Sequence, residues 1–148
     1  DAPSAITRLL ELGVPYYLLK ATLLGVMAQR LVRTLCPHCK APVEINADDW
    51  QALTQPWSAP LPQGAQQAVG CLECRDTGYR GRAGVYEIMQ INDAIKPLIM
   101  ADTNLVALKN HAFRDGMRSL RLSGAQKIAA GLTTMEEVLR VTPQSQQK

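Results

Sequence analysis

The stretches Cys36-Pro37-His38-Cys39 and Cys71-Leu72-Glu73-Cys74 decide the fold of this chain. They contain all four of its cysteines, and residues 40–70 separate them. Each Cys-x-x-Cys pair can present two sulfurs from one tight turn, and two such turns facing each other form the tetrahedral four-thiolate shell that zinc prefers. The spacing therefore predicts one structural zinc ion, bound by Cys36, Cys39, Cys71 and Cys74.

Other interpretations of the cysteines carry less weight. Two disulfides need an oxidising compartment, and no stretch of the sequence reads as a secretory signal. A redox dithiol explains one pair and leaves the other without a role. Four unrelated buried thiols are the simplest alternative. An iron–sulfur cluster or an iron ion is less common at this spacing. Four protein ligands close the predicted site to a catalytic water, so its role is structural.

The composition is that of one soluble globular domain. The 148 residues are 47% apolar and 20% charged, and a chain of this length can bury a sizeable core. Only 5% are aromatic, which argues against a stacking platform for single-stranded nucleic acid. The net charge of +3 is too small to imply a nucleic-acid partner by itself, and we expect none. The charge is uneven, with −3 over residues 40–74 and +4 over residues 96–148. The chain lacks an initial Met and opens at a helix start, as expected for a segment of a longer protein.

The residues before the second cysteine pair predict helices and one strand. Asp1 or Ser4 caps a first helix that ends before Gly13, and Pro15 opens a second helix to about Ala21. Residues 25–34 form a strand. Between the cysteine pairs, Asp48 starts a short helix, and prolines make the following stretch irregular. The apolar face of that helix is Trp50, Leu53 and Trp57. The segment is too small to bury its own core, so zinc supplies much of its stability.

The residues after the second pair predict a turn, a strand and helices. Residues 77–82 are a glycine-punctuated turn, and residues 82–91 are a strand. Asn92 caps a helix to about Met100, Asn104 caps another through Phe113, and a third helix ends at Gly131. Thr133 and Glu136 form a capping box for the last helix. That helix ends before Pro143, and its inward side chains are Met135, Val138 and Leu139.

Several of these stretches together resemble the C-terminal region of the bacterial type II secretion and type IV pilus assembly ATPases, the GspE/PilB group. The resemblance covers nearly the whole chain except residues 41–69. It is carried by residues 1–9 (DAPSAITRL), 25–33 (GVMAQRLVR), 36–39 (CPHC), 71–87 (CLECRDTGYRGRAGVYE) and 131–138 (GLTTMEEV). The related retraction ATPases lack the four cysteines, so the resemblance favours the assembly and secretion branch.

The resemblance implies an α/β fold. The chain would be the C-terminal part of a RecA-like ATPase domain (residues 1–35), in which a β-hairpin carries the tetracysteine zinc insertion (36–81). A returning strand (82–91), a C-terminal helical subdomain (92–143) and a frayed tail (144–148) follow. Relatives without the cysteines join the matching strands by a short turn, so we expect strands 25–34 and 82–91 to pair antiparallel.

The resemblance also implies a function for the longer protein. It would be a cytoplasmic, homohexameric motor that docks on inner-membrane platform proteins and uses ATP and magnesium to assemble pili or pseudopili. Its partners in the same chain would be the upstream ATPase core and the N-terminal domain. The phosphate loop Gly-x-x-x-x-Gly-Lys-Ser/Thr does not occur in this sequence, so we predict no catalytic or nucleotide-binding residue here and no ATPase activity for this chain alone.

The remaining polar residues are expected to have structural or surface roles. Arg30 and Arg33 lie on a strand, exposed or in an ion pair, and contact with a nucleotide or a neighbouring subunit is the sharper alternative. We expect His38 to face solvent and His111 to be structural. Glu87 has no carboxylate partner at a spacing useful for acid–base chemistry.

Cations near the metal site and near the C-terminus suggest two further surfaces. Lys40 and Arg75 stand after the second cysteine of each pair, where many zinc knuckles have glycine. Arg118, Arg121 and Lys127 form a basic face that is solvated by default and is otherwise a docking surface. The alternative function, a free-standing zinc-ribbon module that binds protein or nucleic acid, requires a basic surface near the cysteines, and residues 40–74 are acidic.

Overall fold

The structure, a computed structural model, describes residues 1–143. The tail predicted at residues 144–148 lies outside the described residues. The chain packs as two compact units. Unit 1 consists of Asp1–Ala28 and Tyr86–Ser119, and unit 2 consists of Gln29–Val85 and the described residues 120–143. The segment 92–143 is thus shared between the units, whose boundaries follow packing, whereas the predicted domain boundaries follow motifs and stay a prediction.

The described residues form six α-helices and four strands. In chain order they are α1 Ala2–Glu11, α2 Tyr16–Thr22, β1 Gly25–Leu35, β2 Ala41–Pro42, α3 Ala47–Thr54, β3 Gln66–Gln67, β4 Tyr79–Gln90, α4 Leu105–Arg114, α5 Leu120–Ala129 and α6 Met135–Val141. Short 3₁₀ turns lie at Leu72–Cys74 and Lys96–Leu98. The mixed α/β character predicted from the sequence is confirmed.

Strands β1 and β4 pair with each other in a two-stranded antiparallel ribbon. At one end the Ile91 N–H donates to the Leu24 carbonyl, and at the other the Cys36 N–H donates to the Gly78 carbonyl. The predicted hairpin is therefore confirmed. The residues between its strands, 36–78, are called the insertion below. Within it β2 pairs with β3, where Ala41 lies opposite Gln67, a pairing too short for any alternation in the sequence to indicate.

Unit 1 has its core between the end of β4 and the helices around it. Helix α1 packs against α4, and both begin at the predicted caps. The Asp1 carboxylate accepts from the Ser4 N–H, and the Asn104 side chain accepts from the Ala107 N–H. The buried apolar side chains of this unit are Ala2, Ile6, Leu19, Met89, Ile91, Ile95, Ile99, Leu108, Ala112 and Met117.

Strand β4 begins at Tyr79, so the turn predicted over residues 77–82 is wrong for residues 79–82. The glycines that suggested a turn serve the strand pairing. Gly81 has φ +87°, and a Cβ placed there would lie 3.0 Å from the Thr34 hydroxyl oxygen. That hydroxyl donates to the Arg80 carbonyl at 2.5 Å. A side chain at residue 81 would therefore disturb the contact between the two strands.

Residues 92–100 do not form the predicted helix. They contain only the 3₁₀ turn Lys96–Leu98. Asn92 does act as a local cap, because its side-chain oxygen accepts from the N–H groups of Ala94 and Ile95. Pro97 has no N–H to donate to the Asp93 carbonyl, so an α-helix that starts at Asn92 is interrupted at this position.

Two of the predicted helix faces also need correction. Helix α3 ends at Thr54, so Trp57 lies beyond it, while Trp50 and Leu53 are buried as predicted. On α6, Val138 is buried, but Leu139 is 44% exposed. The buried charged side chain on α6 is Glu137, whose partners are described below.

Candidate metal centre

The four cysteines come together at the base of the insertion. All four sulfur atoms lie within 4.8 Å of one another. The Sγ atoms of Cys36 and Cys71 are 3.9 Å apart, those of Cys39 and Cys74 are 3.8 Å apart, and those of Cys71 and Cys74 are 3.7 Å apart. Cys36 and Cys74 are buried, and the other two cysteines are half-buried. The structure thus unites both predicted pairs in one cluster.

These distances match the edges of a tetrahedron around a metal. A zinc–sulfur bond of about 2.3 Å in tetrahedral geometry places neighbouring sulfurs about 3.8 Å apart. A disulfide would require sulfurs about 2 Å apart, and all four cysteines are free thiols. The cluster can therefore hold a metal ion through four sulfur ligands.

The backbone around the cluster is shaped to present the sulfurs. Residues Leu72–Cys74 form a 3₁₀ turn, and Arg75 and Asp76 then adopt left-handed φ values of 54° and 60°. Arg75 thus takes the conformation for which glycine is the usual residue, as its position after Cys74 suggested. The left-handed pair reverses the chain directly after the second Cys-x-x-Cys pair.

Backbone N–H groups point at two of the sulfurs. The N–H groups of Cys71 and Gly78 both donate to Cys74 Sγ at 3.2 Å, and the Gly70 N–H donates to Cys39 Sγ at 3.3 Å. Donation of this kind stabilises a thiolate, which is the form that binds a metal. The donors are supplied by the backbone of the second Cys-x-x-Cys turn and the residues beside it.

The thiols of this cluster do not share one pKa. Burial opposes ionisation of Cys74, yet the N–H groups of Cys71 and Gly78 lower the pKa of Cys74 to about 6. A backbone hydrogen bond with Cys74 favours the thiolate of Cys71, but burial and the neighbouring thiols raise the pKa of Cys71 to about 11. Four thiolates this close would repel one another, and a divalent cation bound between them would offset that repulsion.

Of the two strand arginines, Arg33 forms an ion pair and Arg30 stays on the surface. Arg33 Nη2 lies 2.6 Å from Glu137 Oε1, and its guanidinium carbon lies 4.2 Å from the centre of the Tyr79 ring. Arg30 is exposed and donates to the Gln29 carbonyl. The ion-pair interpretation of Arg33 is therefore confirmed.

Glu137 is the charged residue that the sequence reasoning missed. It is 2% exposed and accepts hydrogen bonds from the backbone and guanidinium of Arg33 and from the guanidinium of Arg140. Burial alone would raise the pKa of Glu137, but these bonds lower it to about 2. The signal available in the sequence was an acid three residues before Arg140 on α6.

Among the described residues, the other predicted polar side chains do not belong to the cysteine cluster. His38 is exposed, as predicted, and His111 is half-buried on α4. Glu87 is 4% exposed and accepts from the Ala2 N–H at 2.7 Å, so it caps the start of α1. Arg118 belongs to unit 1, whereas Arg121 and Lys127 belong to α5 in unit 2. Burial lowers the pKa of Arg121.

With the geometry established, comparison with known proteins gives the class. The family described as "Type II/IV secretion system protein" matches residues 1–140. The chain therefore belongs to the type II/IV secretion system protein family.

Individual relatives are similar over nearly the whole chain. It is 51% identical over 143 residues to the type IV pilus assembly ATPase TfpB of Acinetobacter baylyi, covering 97% of this chain and 24% of that protein. It is 44% identical to the type IV pilus assembly ATPase PilB of Myxococcus xanthus, covering 94% of this chain and 25% of that protein. It is 40% identical to the type II secretion system ATPase E of Vibrio cholerae, covering 97% and 28%.

The chain spans about a quarter of the length of these curated relatives. Within residues 1–143, no helix combines the length and the apolar character needed to cross a membrane.

Proposed function

We propose that this chain is the C-terminal region of a cytoplasmic, hexameric motor ATPase that powers assembly of a type IV pilus or a type II secretion pseudopilus. The observation that carries the proposal is the family match over residues 1–140, with relatives that are named as pilus assembly or secretion ATPases. The longer protein would have the RecA-like core and would bind ATP and magnesium through residues outside this sequence. Inner-membrane platform proteins would be its partners.

Within that motor, the four cysteines would bind one structural zinc ion. Three of the six sulfur separations are 3.7 to 3.9 Å, and all are within 4.8 Å, which supports a tetrahedral site. Zinc would supply charge compensation for the thiolates and a rigid crosslink between the two Cys-x-x-Cys turns. All four ligands come from the protein, so no position is left for a reacting water, and the chain's own residues hold the ion without performing chemistry.

The positions of the cysteines in the chain suggest what a bound zinc would stabilise. Cys36 follows directly after β1, and Cys74 lies five residues before β4 begins. A crosslink there would let the insertion leave the ribbon and return with the strands in register. Closing a loop of this span costs about 4 kcal/mol in chain entropy. Zinc binding at about 10 kcal/mol or more exceeds that cost.

Metal analysis tests the zinc proposal directly. Protein purified without added zinc should contain close to one zinc per chain, and the double variant Cys36→Ser, Cys71→Ser should contain almost none. His38→Ala is the matched control, because His38 lies between two of the cysteines and is exposed, so this variant should keep the metal. Wild-type protein that is metal-free or disulfide-bonded would contradict the proposal.

Nucleotide assays and genetics test the motor proposal. The chain alone should neither hydrolyse ATP nor bind it tightly, because it lacks the phosphate loop. Specific ATP binding in titration calorimetry, abolished by Arg30→Ala, would show that the site lies here after all. In the source organism, disruption of the gene should abolish either surface pili or secretion of folded proteins, and the intact gene should restore it. If both pili and secretion persist after disruption, the motor proposal fails.

A further inference from the structure

The turn between α5 and α6 is bonded to the residues that flank the first cysteine pair. The Leu35 N–H donates to the Leu132 carbonyl at 2.8 Å, and the Lys40 ammonium donates to the Gly131 carbonyl at 2.9 Å. Leu35 directly precedes Cys36, and Lys40 directly follows Cys39. Both bonds therefore originate from residues whose positions are fixed when the sulfurs of this pair are fixed.

The same turn also lies against Gly64 and Gln66 in the far part of the insertion. A Cβ added to Gly64 would lie 2.9 Å from the Ala129 carbonyl oxygen. A Cβ added to Gly131 would lie 2.9 Å from Gln66 Cγ and 3.0 Å from the Gly64 carbonyl oxygen. Gly131 has φ +67°, a conformation that favours glycine for a second reason. The insertion and the end of α5 are thus too close to each other for a Cβ at either glycine without a local shift.

The insertion shares its apolar core with α5. Helix α3 packs against α5, and α5 packs against α6. The buried side chains of α3 include Trp50 and Leu53, and those of α5 include Ala125 and Ile128. The sequence predicted that the insertion is too small to bury a core and depends on zinc for it. The structure shows that α5 also contributes the missing apolar surface.

From these contacts we propose that the metal centre positions the C-terminal helices α5 and α6, as well as closing the insertion. This inference rests on the metal proposal above. When the four sulfurs are held together, Leu35 and Lys40 are fixed at the distance that the Gly131–Leu132 backbone requires. When the metal is removed, the Cys36–Cys39 turn is released, and α5 and α6 lose their support together with the insertion. Helix α4, in unit 1, does not depend on these contacts.

Amide hydrogen exchange on the 148-residue chain tests the coupling. Zinc-loaded protein is compared with protein stripped by a chelator and with Cys71→Ser, and metal content is measured on every sample. We expect protection to fall by a similar factor in residues 40–70 and in residues 120–141, while α1 and α4 keep their protection. Retention of protection in α5 and α6 after the metal is lost would overturn the inference. So would an even loss over the whole chain, or a chain that is purified metal-free and yet protected in α5 and α6.

A second variant separates the coupling from metal binding itself. Lys40→Met removes the bond to Gly131 and leaves all four cysteines in place. Because a hydrogen bond from a charged donor is lost, α5 and α6 should exchange about tenfold faster, with zinc content still at one per chain. Lys127→Met is the matched control, since it removes a positive charge from the end of α5 without removing the Lys40 bond. Equal exchange in the two variants would overturn the inference while leaving the zinc proposal intact.

Discussion

Replacing Glu137 by glutamine should destabilise unit 2 far more than the same change at Glu136, the exposed acid next to it on α6. The carboxylate is 2% exposed and receives two guanidinium groups, whereas Arg33 and Arg140 are 48% and 58% exposed. Glutamine keeps the shape, but it brings an amide N–H₂ among groups that are all donors. One buried acceptor oxygen and its negative charge are lost together.

The lowered pKa gives the size of the effect. Glu137 titrates at about 2 instead of 4.5, and each unit of pKa corresponds to 1.36 kcal/mol between the two protonation states. The shift is thus equivalent to about 3 kcal/mol, and solvent around the half-exposed arginines reduces it to about 2 kcal/mol. Because the folded-state pKa is below the unfolded-state value, this stability is complete above about pH 4.5 and is lost as the pH falls toward 2.

Tryptophan fluorescence during urea unfolding measures this change. The two tryptophans of the chain, Trp50 and Trp57, both lie in unit 2. At pH 7 Glu137→Gln should lower the free energy of unfolding by about 2 kcal/mol. Glu136→Gln is the matched control, because Glu136 is exposed on the same turn of α6, and it should change the free energy by less than about 0.5 kcal/mol.

The pH dependence provides the outcome that would refute the reasoning. The gap between wild type and Glu137→Gln should shrink as the pH falls from 4.5 toward 2, since the wild-type carboxylate is then protonated in the unfolded state but still ionised in the folded state. Protonation of the cysteines affects both proteins alike and cancels in the difference. Equal stability of the two glutamine variants at pH 7, or a gap that is constant down to pH 2, would show that the ion pairs contribute nothing.

Two further substitutions test local packing and capping. Gly124→Ala should destabilise unit 2 by about 1 to 3 kcal/mol, because the new Cβ would lie 2.4 Å from Val138 Cγ1. In the double variant, Val138→Ala should relieve part of this loss. If urea unfolding shows that the losses of the two substitutions add, the predicted clash is wrong. Asn104→Ala should cost about 1 kcal/mol in unit 1 through loss of the α4 cap. Exchange in α4 measures this cost, and Asn110→Ala, exposed on the same helix, should not accelerate it.

The sequence determined the features whose causes lie within a few residues. The caps Asp1 and Asn104, the ends of α1 and α5 at Gly13 and Gly131, and the strand at residues 25–34 were all predicted and are present. The cysteine cluster was predictable for a similar reason, because a Cys-x-x-Cys turn presents its two sulfurs locally. The cysteine spacing did not predict the structure of the rest of the insertion. Its β2–β3 pair and its shared core depend on α5, which lies far along the chain.

The start of the last helix shows where local information ends. The stretch 133–137 contains two overlapping capping boxes, Thr133 with Glu136 and Thr134 with Glu137, and the sequence favours neither. The predicted box was the first, Thr133 with Glu136, and this prediction was wrong. In the structure the Thr134 hydroxyl accepts from the Glu137 N–H, and the Tyr79 hydroxyl bonds to the Thr134 oxygen at 2.8 Å.

Contacts with residues far along the chain select Thr134 as the cap of α6. The Thr133 hydroxyl donates to the Arg33 carbonyl at 2.8 Å, and the Arg33 guanidinium binds the Glu137 carboxylate from 104 positions earlier in the chain. Only a helix capped by Thr134 places the acid of its capping box, Glu137, beside Arg33. An interior carboxylate without a cation is too costly to bury, so the location of Arg33 on β1, which only the folded chain establishes, decided where α6 begins.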